Sequence, residues 1–187
     1  MKPTHRFLGL LGWLALAVPS LAAPVRPIRF DRLSLEQGLS QSSVMDILQD
    51  GRGYVWLATE EGLDRFDGLS FRVYRHDPAE SASLPSNFVW DVEEDSSGDL
   101  WIATTGGLAL WQRATDHVVR QEKLAGVSIR ALRLAAKERV LWIGTRDAGL
   151  LRVHARRAAP PDHALAVDED ELAPVRAAAP DHLRARE

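Results

Sequence analysis

The feature that most restricts what this chain can fold into is a segment that occurs twice in one register. Residues 44–66 laid over residues 89–111, without any gap, agree at nine of 23 positions. The shared residues are Val44/Val89, Asp46/Asp91, Asp50/Asp95, Gly53/Gly98, Trp56/Trp101, Ala58/Ala103, Thr59/Thr104, Gly62/Gly107 and Leu63/Leu108. Ordinary residue frequencies would supply about one or two such matches. A weaker third copy reads Val140-Leu141-Trp142-Ile143-Gly144-Thr145, ending at Gly149-Leu150. Trp56, Trp101 and Trp142 are therefore 45 and 41 residues apart, a period that demands a repeat architecture.

Each unit reads as β. Residues 55–59, 100–104 and 141–145 are short apolar runs rich in β-branched and aromatic side chains. Asp50-Gly51-Arg52-Gly53 and Asp95-Ser96-Ser97-Gly98-Asp99 precede two of them with hairpin-turn chemistry. Glu60-Glu61-Gly62 and Thr105-Gly106-Gly107 follow as second tight turns, where glycine takes positive φ without steric cost. Residues 63–66 and 71–74, separated by Asp67-Gly68, supply two more strands. The unit is thus about four short antiparallel strands centred on one Trp. One twisted sheet of this kind cannot bury both faces alone, so its neighbours must stack on it. Such units of 40 to 45 residues have the profile of β-propeller blades.

The wording of the repeats is closer to one family than to propellers in general. Phe30-Asp31-Arg32-Leu33-Ser34 and Gln37-Gly38-Leu39-Ser40-Gln41, the segment 47–59, and Gly62-Leu63-Asp64-Arg65-Phe66-Asp67-Gly68 resemble the opening and first repeat of the two-component regulator propeller family. Leu84-Pro85-Ser86-Asn87 and the segment 100–108 resemble its second repeat. The resemblance runs from about Ile28 to Val153. It implies an all-β fold, here a partial β-propeller of about three four-stranded antiparallel blades over 39–83, 84–123 and 124–154. A lead-in strand is expected at 28–34, so the repeat region covers 28–154. The resemblance also implies a periplasmic sensor module, many blades of which precede a membrane span and a histidine kinase, hybrid kinase or diguanylate cyclase. The ligands it implies are small molecules or oligosaccharides.

With about three repeats, no span and no output domain, the chain reads as an N-terminal fragment of such a receptor. A closed propeller needs at least four blades. The third repeat has lost the turn Asp and Gly, reading Ala135-Ala136-Lys137-Glu138-Arg139. From 155 to 187 ten residues are Ala and four are Pro, without strand periodicity, so this tail is expected to be disordered or weakly helical. Such a tail fits a shifted reading frame in GC-rich DNA.

The chain opens with Lys2 and Arg6, a twelve-residue apolar run over 7–18, and Pro19-Ser20-Leu21-Ala22. This is the layout of a signal peptide over 1–22, cleaved near Ala22 for export to the periplasm or beyond. Twelve residues span roughly 18 Å as a helix, short of the ~30 Å membrane core. No later segment is apolar for long enough, so no span is expected in the mature chain. A net charge of −3 and the absence of a basic cluster argue against nucleic acid as a partner. With no Cys, disulfides, thiolate metal sites and thiol nucleophiles are excluded.

No catalytic constellation emerges. The recurrence of Trp56, Trp101 and Trp142 at one point of each blade points to packing between blades rather than sugar stacking. Trp90 and Trp111 are not shared by every repeat and are freer for binding, though core packing explains them more simply. Asp46 and Asp91 could face each other as paired carboxylates. The plainer expectation is that each satisfies a turn or a neighbouring amide. The segment 95–99 has too few oxygen ligands for calcium. His76, His117, His154, His163 and His182 lack metal spacing, and Ser42-Ser43 lacks elbow glycines. The acidic run 168–171 reads as solvated tail.

The signature residues of the repeat are accordingly structural: Trp56, Trp101, Trp142, Gly53, Gly98, Gly62, Gly107, Gly149, Asp50 and Asp95. The expectation is a non-enzymatic, cofactor-free, metal-free sensor that binds a ligand without transforming it. Its other candidate partners are the remaining propeller blades or further copies of itself. A periplasmic scaffold that oligomerises through open blade edges is the alternative, and a propeller glycan hydrolase or lyase a more distant one.

Overall fold

A computed structural model describes residues 30–135 and 140–154. The signal-peptide segment, the altered turn at 136–139 and the tail from 155 lie outside these described residues.

Three antiparallel sheets follow one another along the chain. The first contains β1 (Val44–Gln49), β2 (Val55–Thr59), β3 (Gly62–Phe66) and β4 (Phe71–Tyr74), in that order. The second repeats the pattern with β5 (Val89–Glu94), β6 (Leu100–Thr104), β7 (Gly107–Gln112) and β8 (His117–Arg120). The third pairs β9 (Ile129–Ala135), β10 (Val140–Thr145) and β11 (Leu150–His154), with β10 in the middle. It has three strands among the described residues, where four were expected. Two 3₁₀ turns, Leu35–Gln37 and Glu122–Leu124, are the described helical elements.

The first two sheets agree residue for residue. Trp56 pairs with Leu48 and Arg65, as Trp101 pairs with Glu93 and Leu110. The turn glycines match as well. Gly62 and Gly107 have φ of 139° and 141°. A Cβ at these positions would stand 2.5 Å from the Tyr74 carbonyl oxygen and 2.8 Å from that of Leu124. Conformation and space both therefore require glycine there.

Alternation of side chains explains how three sheets share two interiors. The first interior takes Trp56, Ala58 and Leu63 from sheet one, and Val92, Leu100, Ile102, Ala109 and Trp111 from sheet two. The second takes Trp101, Ala103, Leu108 and Leu110 from the opposite face of sheet two, with Ile129, Leu132, Leu141, Ile143, Leu151 and Val153 from sheet three. Successive residues of β6 thus point to different cores, as a period of two requires. The middle sheet is covered on both sides, and every residue of β6 and β7 is buried. Sheet one shows the contrast: Ile47 is 65 % exposed, while its equivalents Val92 and Leu132 are 3 % and 6 % exposed.

Of the lead-in strand expected at 28–34, residues 28 and 29 lie outside the described residues. Residues 30–34 join no sheet. Ser34 instead caps the turn Leu35–Gln37, its N–H and hydroxyl both donating to Gln37 Oε1 at 2.8 and 2.5 Å. Phe30 and Leu33 are exposed.

Candidate functional site

The innermost strands β1, β5 and β9 lie side by side, and their register defines the site. Each carries a bulge at the same place. Met45, Trp90 and Arg130 are the extra residues, lying between Val44 and Asp46, Val89 and Asp91, and Ile129 and Ala131. A bulge kinks the strand and re-aims the side chains beside it.

Immediately after each bulge the strand carries Asp46, Asp91 or Ala131. The two carboxylates reach across to the next blade. Asp46 Oδ2 accepts the Val92 N–H at 3.1 Å, and Asp91 Oδ2 accepts the Leu132 N–H at 2.7 Å. The donor amide in both cases follows the equivalent position of the neighbouring blade. Burial first, then the neighbouring Asp46, pushes the Asp91 carboxyl up to about 6, against the opposing Leu132 and Val92 amides. The plainer sequence reading of these aspartates, service to neighbouring amides, describes both of these hydrogen bonds.

Trp90 sits at the bulge between two partners. The Phe88 ring is stacked at 4.3 Å and 20°, and the Arg130 guanidinium lies 3.7 Å over the indole. Two groups this close cannot occupy the same face, so both faces of Trp90 are covered and a sugar would have to displace one. Trp111 is buried in the first interior, and its indole N–H donates to Asp116 Oδ1 at 2.9 Å. Neither of the two tryptophans singled out for binding offers a free face.

The signature residues occupy corresponding places. Trp56 and Trp101 are 0 % and 2 % exposed, in the first and second interiors. Trp142 is half-buried on the outer face of β10, opposite Leu141 and Ile143. Gly53, Gly98 and Gly149 all have positive φ, at 90°, 81° and 71°. Asp50 accepts the Arg52 and Tyr54 amides and the Trp56 indole N–H at 2.9, 3.0 and 3.0 Å. Asp95 accepts the Ser97 and Asp99 amides at 2.7 and 3.1 Å.

Several residues with important contacts escaped sequence reasoning. Glu94 accepts the Gly51 N–H from the preceding blade, and Arg113 donates to Glu94 at 2.5 Å while lying 3.7 Å from Asp50. Asp116 gathers Arg72, the Tyr74 hydroxyl and Trp111. Arg120 donates to carbonyls of Asp77, Glu80 and Ser83, fixing the linker between the first two blades. Most of their partners lie about 40 residues away, and no local motif announces them. A cleft of about 150 Å³ opens beside this linker, between Pro85, Gly106, Gly107, Arg120, Gln121 and Glu122. Among the described residues no cluster of His, Asp or Glu could hold a metal ion. No helix among them is long and apolar enough to cross a membrane.

Consecutive antiparallel sheets, joined in register and stacked through inner strands that bulge at one point, are propeller blades. Residues 38–61 and 83–106 each match the family model of the two component regulator propeller. A stretch of 75 residues is 43 % identical to Histidine kinase P4 of Formosa agariphila, covering 40 % of this chain and 5 % of the kinase. The fold is shared with the extracellular domain of BT4673 from B. thetaiotaomicron. One structure of that domain, described as part of a one component system, has a TM-score of 0.53 and 21 % identity, over 68 % of this chain and 19 % of that one. Another, described as part of a hybrid two component system, has a TM-score of 0.50 and 22 % identity, over 59 % and 16 %. The chain thus spans about a twentieth of the curated relative and less than a fifth of these solved domains.

Proposed function

We propose that this chain is a ligand-sensing propeller module of a two-component-type receptor, exported to the periplasm or secreted, which binds without chemistry. The observation that carries this reading is the pair of family repeats in one 45-residue register, supported by a stretch 43 % identical to a histidine kinase. The ligand class is a small molecule or an oligosaccharide, as the family resemblance implies. Loops at blade ends near the axis are where a rigid propeller places variable contacts. The test is thermal unfolding and calorimetry of the full chain against xylo-, manno-, cello- and galacturono-oligosaccharides. A saturable rise in Tm with intact glycan supports a sensor. Absence of binding by every glycan and by a small-molecule metabolite panel sinks the reading, and cleavage of the glycan converts it to that of an enzyme.

A second reading has its own observation. Ile47 and Trp142 lie on the outward faces of the first and third sheets, where their equivalents within the stack are buried. These faces suit further blades or further copies of the chain, as a scaffold would use them. A defined oligomer by light scattering, lost on Ile47→Lys, supports that reading; a monomer at all concentrations removes it.

A further inference from the structure

Both interiors are made by joining the same two kinds of face. One is the Trp face, formed by Trp56, Ala58 and Leu63 of sheet one and by Trp101, Ala103 and Leu108 of sheet two. The other is formed by Val92, Leu100 and Ile102 of sheet two and by Leu132, Leu141 and Ile143 of sheet three. One face of each kind is left over. Sheet three turns Trp142 and Leu150 outward, the strand equivalents of Trp101 and Leu108. Sheet one turns Ile47 outward, the equivalent of Val92 and Leu132. The two free faces are thus the halves of a seam that the chain already builds twice.

Sheet one also carries the linker that such a seam uses. Leu84 and Leu124 each stand five residues ahead of the next inner strand and are buried in the first and second interiors. Leu39 stands five residues ahead of β1 and is buried as well, at 7 % exposure. Beside it, the Ser40 N–H and hydroxyl donate to Asp64 at 3.2 and 2.5 Å. Asp64 holds the place that Ala109 and Leu151 take inside the stack, and these bonds satisfy its buried carboxyl. We propose that two copies of this chain close head to tail into one ring, the Trp142 face of each seated on the Ile47 face of the other. This rests on the reading of the open faces as sites for further copies, and adds which faces meet and how many copies close. A heterologous contact of this kind either closes or runs on as a filament. Propellers close with about four to eight blades. At three described sheets per copy, whole copies reach that range only as a pair.

The seam between copies lacks one tie that the seams within a copy possess. Asp46 accepts the Val92 amide and Asp91 the Leu132 amide, each carboxylate reaching into the next blade. Sheet three has the exposed Ala131 at that place, so the Ile47 amide of the second copy would meet a methyl group. The contact between copies is accordingly the weaker one, and dilution separates the copies while each keeps its sheets.

The test is light scattering and sedimentation of the full chain over a dilution series. We expect an equilibrium between one copy and two, with no larger species. Ile47→Lys and Trp142→Glu should each give monomers with native circular dichroism, since both side chains lie on outward faces. Mixing the two variants should restore a dimer. One of its seams then joins an intact Trp142 face to an intact Ile47 face, and the other sets Lys against Glu. Ala131→Asp should lower the dissociation constant about tenfold or more, the factor for an amide bonded to a charged acceptor. A monomer at every concentration would overturn both this inference and the reading of the open faces beneath it. A dimer that mixing does not restore, or a ladder of higher oligomers, overturns the head-to-tail closure alone. Should Trp142→Glu not fold, the other two variants decide: tighter pairing with Ala131→Asp and weaker with Ile47→Lys sustains the closure, and any other combination removes it.

Discussion

Trp56 and Trp101 are identical in type and place, yet they are bonded differently. The Trp56 indole N–H donates to Asp50 at 3.0 Å, whereas the Trp101 Nε1 is buried with no partner among the described residues. Replacing either by Phe removes the same volume, so the difference between the two isolates the hydrogen bond. Trp56→Phe should cost about 1–2 kcal/mol more than Trp101→Phe, since it also leaves the buried Asp50 carboxylate one donor short. Urea unfolding of both variants checks this. The sequence made the tryptophans and the aspartates look equivalent, because spacing reports where a residue sits on its strand. It does not report which way a carboxylate turns within its own tight turn, and there the equivalence ends. Gly62→Ala offers a second measurement. Strained φ and the clash with the Tyr74 carbonyl should together lower stability by about 2–4 kcal/mol, with a drop in Tm readable by circular dichroism.

At the level of strands and their connections, the first two blades are tied at their outer edge by the turn between β7 and β8. Asp116 stands there at φ 59°, a conformation that non-glycine residues seldom adopt. Burial alone would raise its pKa. The Tyr74 hydroxyl, the Trp111 indole and the Arg72 and Arg65 guanidinium groups together hold it below the ordinary value. A lowered carboxyl lends stability above its unfolded pKa near 4, and that stability disappears as pH falls through the folded value. Asp116→Asn keeps a residue tolerant of positive φ and removes only the charge. It should cost about 1 kcal/mol at pH 7, because the group is partly solvated, and next to nothing at pH 3; unfolding at the two pH values measures this. Strands β2, β3, β4, β6 and β10 were all legible from apolar runs between turn residues. The tie through Asp116 was not, because Arg65, Arg72 and Tyr74 lie 42 to 51 residues before it and sequence distance conceals the contact. Residues 30–34 of the expected lead-in strand join no sheet, and Phe30 and Leu33 there are exposed.

For the molecule as a whole, stability resides in the stacking of sheets, so the cost of a charge depends on a residue's place in the stack rather than on its place in the repeat. Val92 and Ile47 occupy the same repeat position at 3 % and 65 % exposure. Val92→Lys should cost more than 3 kcal/mol or abolish folding, while Ile47→Lys should change stability by no more than about 0.5 kcal/mol; comparing their Tm values decides the point. The period of 45 residues made the stack itself readable, since a unit that cannot bury both faces must have neighbours. It could not rank the faces, because identical repeats become inequivalent only when they are placed in a row.

The middle sheet feeds two interiors with alternate letters of one ribbon: Leu100 and Ile102 to one side, Trp101 and Ala103 to the other. Deleting a single residue just ahead of β6 would therefore trade the contents of both compartments at once, sending the indole where a methyl group fits and leaving a void where it had been. Substitutions in this ribbon can be absorbed one at a time. A change in its length cannot, and the spacing between Asp95 and Trp101 is held fixed by two cores simultaneously.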